Sequence, residues 1–552
     1  MTGVLGAWFA AEDKNRCSEG GRAVRPSIWT PPVEPTPEEE VVMRLVKRAK
    51  LFVFLRQQRH EIFDEECQEE LGAIYLGGVL GRPAVSPARL ALATILQAYT
   101  GVSDDEVVEA TLMDRRWQLV LDCLDTKEPP FCKGTLGGFR KALIEHDLDR
   151  RLVERTVEVA QTKGGFGSRR LRAALDSSPL WGAGRVEDTY NLLGHALKKA
   201  LGVIARQQGR GLAEVATQAG ASLVDGTRSL KAALECDWDD PDERALALGR
   251  VIEALEAVEG YLDHQPKGEE GGGEAAEAEM EIARRVREQD IKEVDGEPPE
   301  LIRGVARERV VSVEDPQMRH GRKSKSVRFE GYKRPVLRDL DSGLVRAVGL
   351  TPANAPEASV AEAIASDLKR QGDELRELHI DRAYLSSELV RERSPELEVY
   401  CKAWRVRNGE CFPKTAFELD WERGELRCPA GVRMPFEPGG VVRFPKKRCA
   451  ECPLRERCTR SKNGGRSVSI HPDERLLEEF RERQSTPEGR AKLRERVKVE
   501  HSLAHIGHWQ GRRCRYVGER KNLFDLRRSA VVHNLHVIAR SIPTDEQQQA
   551  AA

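Results

Sequence analysis

The sequence predicts an α/β protein in which a mixed sheet flanked by helices follows an all-α domain. Residues 38–165 carry apolar residues three and four apart, which is the spacing of amphipathic helices. Residues 305–410 show strand patterns and then alternating strand and helix patterns, with acidic residues at strand ends. At 552 residues the chain is too long for one ordinary hydrophobic core, and its length predicts roughly three to four domains.

Charge is distributed unevenly along the chain. The net charge of -1 hides an acidic stretch at Lys267–Glu300 and basic stretches at Arg319–Arg338 and Arg481–Arg528. These local clusters inform on nucleic-acid binding better than the total charge does. No apolar run is long enough to span a bilayer, and the N-terminus lacks the basic start of a secretion signal. We therefore expect a cytoplasmic protein without a membrane partner.

The first 304 residues divide into segments of different composition. Residues 1–37 are rich in Pro, Gly and charge and are expected to be disordered, as is the tail at 541–552. Residues 38–165 are expected to form a helical domain in which Ser103 or Asp104 caps one helix. A plain helical bundle and a DNA-binding domain both remain open for it. Residues 166–185 hold a first core strand, and residues 186–304 a helical insertion with an acidic linker.

The core sheet, expected within residues 305–410 together with that first strand, is predicted from short apolar segments. LRAALDSSPLWG brings Asp176 to the C-terminal edge of a strand, and LRELHIDRAY ends a strand at Asp381. RERVVSVEDP, KRPVLRDLDSG and LVRAVGLTPAN add strands with a hairpin turn at Asp341. Between LVRAVGLTPAN and LRELHIDRAY, a helix is predicted to begin near Ser359 and to stop at Gly372. Asp176 and Asp381 meet only if their strands are parallel neighbours, which the sequence leaves open.

The C-terminal segment 476–540 is predicted to be helical and contains an acid among cations. Residues 491–506 hold no Gly or Pro and have apolar residues at helical spacing, so Arg496 and Glu500 share a face of one amphipathic helix. Such a carboxylate suits a metal-dependent enzyme that acts on a polyanion. Asp176, Asp381 and Glu500 are therefore candidates for a carboxylate cluster that binds two Mg²⁺ (or Mn²⁺) ions.

Cysteines form a second candidate metal site. The chain has 12 cysteines, too few in so long a chain for a disulfide scaffold, and four of them lie close together at residues 428–458, within the segment 411–475. Their spacing is C-x20-C-x2-C-x5-C, which predicts a structural Zn²⁺ site in an inserted segment. Reduced buried thiols are the alternative, and Cys401 and Cys411 could replace one of the ligands. The four predicted zinc ligands are Cys428, Cys449, Cys452 and Cys458.

Several segments together resemble the DDE transposases of bacterial insertion sequences. They are LDSSP at Asp176, the stretch from SVEDP to LTPAN, HIDRAY at Asp381, and RVKVEHSLAHIGHWQGRRCRYVG with Glu500. The N-terminal helices, through PARLALATILQAYTG and DRRWQLVLD, look like the helical domain that precedes the catalytic core in this family. The resemblance covers roughly residues 40–180 and 305–540 and includes a Cys-rich insert in the catalytic region.

This resemblance implies an RNase H-like core in which Asp176, Asp381 and Glu500 hold the catalytic metal ions. The implied reaction is metal-dependent strand cleavage and strand transfer at the ends of an insertion sequence. The family has a Tyr and an Arg before its glutamate; this chain keeps Arg496 but has Leu493 in place of the Tyr.

Double-stranded DNA, as transposon ends and target, is the expected partner, bound by a homodimer. Basic residues near the proposed site are the best candidates for contacts with its phosphates, because each contact releases counterions. These candidates are Lys323, Lys325, Lys333, Arg334 and Arg496.

Two alternatives remain from the sequence. A domesticated, non-catalytic DNA-binding protein would keep the fold without the reaction. A zinc-dependent hydrolase would use His501 and His505, although the HExxH order of such enzymes is absent. His533 and His536 are expected to be packing or surface residues, and Glu495 a solvated surface acid.

Overall fold

The computed structural model describes residues 26–75, 84–163, 166, 169–226, 229–264, 272–304 and 306–541. Of the two stretches expected to be disordered, 1–37 and 541–552, residues 1–25 and 542–552 lie outside these ranges. Within 26–37 the expectation is wrong, because Trp29 is buried, its backbone N–H donates to Gln68 Oε1 at 2.7 Å, and a helix begins at Pro37. Among the described residues, none of the helices combines the length and the apolar character needed to cross a membrane.

The regular secondary structure of the N-terminal region consists of helices in the described ranges 26–75 and 84–163. Ser103 caps its fifth helix through the reciprocal hydrogen bonds with Glu106 that define a capping box, so the predicted start of that helix is confirmed. Apolar side chains such as Trp117 and Leu92 are buried between the helices. The helices are α1 Pro37–Leu45, α2 Lys50–Ile62, α3 Glu65–Gly72, α4 Pro87–Thr100, α5 Asp104–Met113, α6 Arg115–Leu121, α7 Lys133–Glu145 and α8 Asp149–Thr162.

A mixed sheet follows the helices. Its strands are β1 Arg170–Trp181, β4 Arg319–Arg322, β5 Arg328–Asp339, β6 Val345–Val348, β7 Thr351–Pro352, β8 Glu374–Ile380 and β9 Glu398–Cys401. The main order is β4-β5-β1-β8-β9, and β6 and β7 also pair with β5. β5 is antiparallel to its neighbours, whereas β8 is parallel to β1 and to β9. The helix α14 Ala361–Gln371 ends at Gly372, as predicted, and the short α15 Glu388–Arg391 follows β8.

A second helical cluster with its own apolar core lies between β1 and β4 in the chain. It consists of α9 Thr189–Gln208, α10 Leu212–Gln218, α11 Leu230–Ala233, α12 Pro241–Asp263 and α13 Gly272–Asp290, followed by β2 Ile291–Lys292 and β3 Glu300–Leu301. The acidic segment, predicted as a linker, contains helix α13, which buries Ala276, Met280, Ala283 and Val286 in this core. The strand predicted from RERVVSVEDP is wrong, because residues 306–318 form turns and irregular backbone. Burial of Val310 and Val313 against the helical cluster accounts for its apolar pattern.

After β9, the chain forms two small sheets before it returns to helix. Their strands are β10 Glu418–Asp420, β11 Glu425–Arg427, β12 Arg433–Pro435, β13 Val441–Arg443 and β14 Ser467–Ser469, with helices α16 Lys446–Ala450 and α17 Arg455–Cys458 between the last two strands. The chain then continues with α18 Glu474–Ser485, α19 Pro487–Glu495, α20 Val497–Gln510 and α21 Glu519–Ser541. The single helix predicted over residues 491–506 is therefore wrong in one respect: it divides at Arg496.

Helix α21 connects the sheet to the N-terminal helices. The Asn534 side chain accepts a hydrogen bond from Val345 N at 2.8 Å and donates to Val345 O and to Thr156 Oγ1, each at 2.9 Å. Arg528 donates to Gln97 Oε1 at 2.8 Å. Because these polar groups are buried, their loss would leave unsatisfied partners in the core. They hold α4, α8 and β6 in a defined position around α21.

Candidate active site

Asp176 and Asp381 lie next to each other at one edge of the sheet. β1 and β8 are parallel neighbours, and Leu175 pairs with Ile380, so the residue that follows each of them is an aspartate at the same level. The condition that the sequence left open is therefore met. Asp176 lies within β1, not at its C-terminal edge as predicted, because β1 continues to Trp181 through its pairing with β5. Asp381 directly follows β8 and is exposed.

Arg496 joins Asp176 to Glu500. One terminal nitrogen of its guanidinium donates to Asp176 Oδ2, and the other lies 3.2 Å from Glu500 Oε1. The guanidinium has this position because α19 ends and α20 begins at this residue. The structure thus brings the helix glutamate to the side of β1 that carries Asp176.

A fourth carboxylate, Glu357, lies close to Asp176 and was missed by the sequence analysis. Ser177 Oγ donates to Glu357 Oε2 at 2.8 Å, and Lys333 Nζ is 4.0 Å from Glu357 Oε1. Burial raises the pKa of Asp176, and the negative charge of Glu357 raises it further, whereas Arg496 lowers it. No sequence signal marked Glu357, which lies in a single turn of 3₁₀ helix between β7 and α14.

A network of ion pairs holds α19 against the sheet. Arg172 on β1 donates to Glu495 Oε2 at 2.6 Å and approaches Glu377 on β8 at 3.0 Å. Lys492 binds both oxygens of Glu377 at 2.9 and 3.0 Å. Burial raises the pKa of Glu377, but the hydrogen bonds from Lys492 and Arg172 outweigh this effect and lower the pKa to about 2. Glu495 is therefore a half-buried partner of Arg172, and its interpretation as a solvated acid is wrong.

The proposed phosphate contacts fall into two groups. Lys323 and Lys325 are exposed, and Arg496 lies at the acids. Lys333 instead donates to Ala355 O at 2.8 Å and is only 14% exposed. Arg334 is 5% exposed and donates to Ser178 Oγ at 2.7 Å, Gln510 Oε1 at 3.0 Å and Gly511 O at 2.9 Å. Burial also lowers the pKa of Arg334 to about 10.

The four cysteines predicted to bind zinc line one cavity of about 240 Å³. Cys428 lies in the loop after β11, Cys449 in α16, and Cys458 at the end of α17. Burial raises the pKa of the Cys458 thiol, and the other three cysteines are close enough to raise it further, whereas Arg466 lowers it. Cys401 is buried at the end of β9, where burial and Asp381 raise the pKa of its thiol to about 12.

The histidines near Glu500 do not form a metal site among the described residues. His501, His505 and His508 are exposed on α20. His533 is buried and contacts Gly343 O at 3.2 Å through Nε2, and the His536 ring stacks on Trp509 with centroids 5.2 Å apart. Of the two positions expected for His533, packing inside the protein or lying at the surface, the structure shows the first. Nothing in these contacts favours a zinc-dependent hydrolase.

The donor chemistry at the carboxylates suits Mg²⁺ or Mn²⁺, because hard divalent cations prefer carboxylate oxygens. Across the described part of the chain, however, no group of three or more His, Cys, Asp or Glu side chains has an arrangement that could hold a metal ion. At the acids, the Arg496 guanidinium lies between Asp176 and Glu500. A cationic group beside neighbouring carboxylates can bind a phosphodiester and polarise it.

Comparison with known families gives two matches. The family described as Transposase DDE domain matches residues 427–539, and the family described as Transposase domain (DUF772) matches residues 44–142. The first range includes Glu500 and the four cysteines, and the second covers much of the N-terminal helical region. No curated protein and no solved structure matches the chain. Together with the mixed sheet and its helical N-terminal region, these two matches indicate an insertion-sequence transposase of the DDE family.

Proposed function

We propose that this transposase cleaves and joins DNA strands at the carboxylates of Asp176, Asp381 and Glu500. The observation that carries the proposal is the parallel pairing of β1 and β8, with Arg496 extending the pair to Glu500. The order of strands in the sheet supports an RNase H-like core. On one side of β1 lies β5, antiparallel to it, with β6 paired to β5, and on the other side lie the parallel strands β8 and β9.

In this proposal Asp176, Asp381 and Glu500 are the residues that would hold two Mg²⁺ or Mn²⁺ ions, and the ions would supply charge neutralisation at phosphorus and activation of the attacking oxygen. Arg496 keeps Asp176 and Glu500 on one side of the site. The ion pairs of Glu377 with Arg172 and Lys492 hold the end of α19, and hence Arg496, against the sheet. Glu357 adds negative charge beside Asp176 and is a positioning residue for it through Ser177.

We also propose that Cys428, Cys449, Cys452 and Cys458 bind one structural Zn²⁺. Support comes from their shared cavity and from the small apolar core of this segment, which buries Phe417, Leu426, Val442, Phe444, Val468 and Ile470. So small a core is a weak source of stability on its own, and a metal ion is a common supplement.

The proposed substrate is double-stranded DNA, as transposon ends and as target, held by a homodimer. Lys323, Lys325 and Arg496 remain the proposed phosphate contacts. Lys333 and Arg334 are proposed to stabilise the site from inside the protein, because both are more deeply buried than Arg496 and bind protein oxygens there.

The test of the site is Asp381→Ala, assayed for Mg²⁺-dependent cleavage of DNA that carries the ends of the element. Cleavage should fall below detection while binding to the ends stays within about twofold of wild type, because Asp381 is exposed and its loss disturbs no core contact. Glu388→Ala, which removes another exposed acid nearby, is the matched control and should cleave normally. Cleavage retained by Asp381→Ala would overturn the assignment.

A further inference from the structure

The hairpin that joins β4 to β5 has a strongly basic tip. Every residue from 322 to 328 is exposed, and none of them is acidic. Four of the seven are cations, namely Arg322, Lys323, Lys325 and Arg328, and within the described ranges none of the four forms an ion pair. A concentration of free cations at the end of a rigid element is a suitable contact for a polyanion.

The tip is held in shape by its own hydrogen bonds. Lys323 N donates to Val327 O at 2.9 Å, and Ser324 Oγ accepts from Ser326 N at 3.3 Å and from Val327 N at 3.1 Å. Below the tip, Arg322 pairs with Arg328 and Gly321 with Phe329 in a regular antiparallel ladder. The cations are therefore presented by a defined turn.

The strand β5 also fixes the distance from the tip to the acids. Asp176 pairs with Val336, and Arg328 lies eight residues earlier in the same strand. At about 3.4 Å per residue the separation is about 27 Å. Because β5 is antiparallel to β1, the tip extends in the direction in which β1 and β8 end, towards the side where Asp381 is exposed.

Further cations lie between the acids and the tip. Trp181, at the end of β1, forms an isolated bridge with Arg513, and Trp181 N donates to Arg512 O at 2.9 Å. Arg512 and Arg513 are exposed, and Trp181 is 36% exposed beside them. Cations thus occur at the acids, at the end of β1 and at the hairpin tip along one direction.

We propose that the β4–β5 tip binds the backbone of duplex DNA about eight base pairs from the phosphate that is cleaved. This inference rests on the proposed function, because the cleaved phosphate is taken to lie at the acids. Duplex DNA that follows β5 advances about 3.4 Å per base pair, so 27 Å corresponds to about eight pairs. The tip then positions the terminal duplex and is a DNA-binding element outside the reacting groups.

The experiment compares binding of two terminal duplexes, one with about 15 base pairs and one with only 4 on the side of the cleaved phosphate that faces the tip. The tip variant replaces four cations and is made in the full chain that also carries Asp381→Asn, so binding is measured without cleavage. The tip variant combines Arg322→Ser, Lys323→Ser, Lys325→Ser and Arg328→Ser. Replacement of four exposed cations in the segment between β1 and β4, Arg206, Arg250, Lys292 and Arg303, by Ser is the matched control.

The chain with an unaltered tip should bind the long duplex at least about tenfold more tightly than the short one, and the tip variant should lose most of this preference. The slope of log K against log salt for the long duplex should decrease by about two to four. Phosphate ethylation seven to nine pairs from the cleaved position should interfere with binding only when the tip is intact. An unchanged length preference in the tip variant would overturn the inference. Failure of the proposed function is distinguished by the separate cleavage assay of Asp381→Ala, in which cleavage would be retained.

Discussion

The acid site and the cysteine cavity are both built from side chains that meet in space, but they are assembled in different ways. The acids come from β1, from the end of β8 and from α20, and β1 is separated from β8 by a whole helical cluster. The cysteines all come from residues 428–458 and meet through short local elements. Long-range strand pairing thus creates the first site, and local turns create the second.

The two regions also differ in how charge is balanced. Arg496, Arg172 and Lys492 bind the carboxylates at and behind the acid site. Around the cysteines, burial raises the pKa of Cys458, and Arg466 lowers it. Asp176 and Glu500 thus share a cation supplied by the protein, whereas four deprotonated cysteines would need a bound metal cation. This difference predicts that substitutions at the acids reduce DNA cleavage, whereas substitutions at the cysteines reduce bound zinc and local stability.

The largest expected effect is on catalysis by Glu500→Gln. The substitution keeps the size of the side chain and removes the charge, and Glu500 is half-exposed, so folding should be unchanged. Cleavage should fall by about 10³-fold or more, which corresponds to about 4 kcal/mol of transition-state stabilisation. Single-turnover cleavage measures the effect, and a loss smaller than tenfold would remove Glu500 from the proposed ligand set.

The next effect concerns the cysteine cavity. Cys449→Ser should abolish bound zinc and increase amide hydrogen exchange across residues 417–470, because the small core there loses its metal ion. Exchange in β1 and β8 should stay the same, since those strands belong to a separate core cluster. Cys123→Ser, far from the cavity in sequence, is the control. Wild-type protein without zinc, and equal exchange in both variants, would contradict the prediction.

A smaller effect is expected on the pH dependence of folding stability, through the buried His533. Burial lowers the pKa of His533 to about 4, so the unfolded chain, with a pKa near 6.5, binds a proton more readily than the folded chain. The contribution of His533 is complete above pH 6.5 and is lost as the pH falls towards 4, by up to about 3 kcal/mol. Urea unfolding between pH 7 and 4.5 should show a smaller loss for His533→Gln than for wild type. Equal losses would show that His533 does not titrate in this range.

The smallest effect is expected for Glu495→Gln. Glu495 pairs with Arg172, but Arg172 keeps Asp341 and Glu377 as partners. The free energy of unfolding should fall by no more than about 1 kcal/mol, the usual size for a partly exposed ion pair. Cleavage should change by less than about threefold. A defect as large as that of Glu500→Gln would place Glu495 in the catalytic site.

Much of the secondary structure could be predicted because its signals are local. The capping box at Ser103, the stop at Gly372 and the strand that ends at Asp381 depend on residues within one or two turns. The prediction failed for RERVVSVEDP, where the apolar residues pack on the inserted helices and form no strand. The division of the helix at Arg496 was also missed, since no Gly or Pro marks it.

The sequence by itself determined the candidate acids, the cysteine spacing and the resemblance to a transposase, because each depends on residue types at fixed separations. Only the tertiary structure decided that Asp176 and Asp381 are neighbours, since the register of two strands separated by a helical insertion is set by long-range pairing. It also decided that Glu357 lies near Asp176, where it accepts a hydrogen bond from Ser177. Arg334 and Lys333 bind protein oxygens inside the molecule, whereas the cations of the β4–β5 tip are exposed. Burial and partner choice arise from packing, which a linear pattern of charges does not contain.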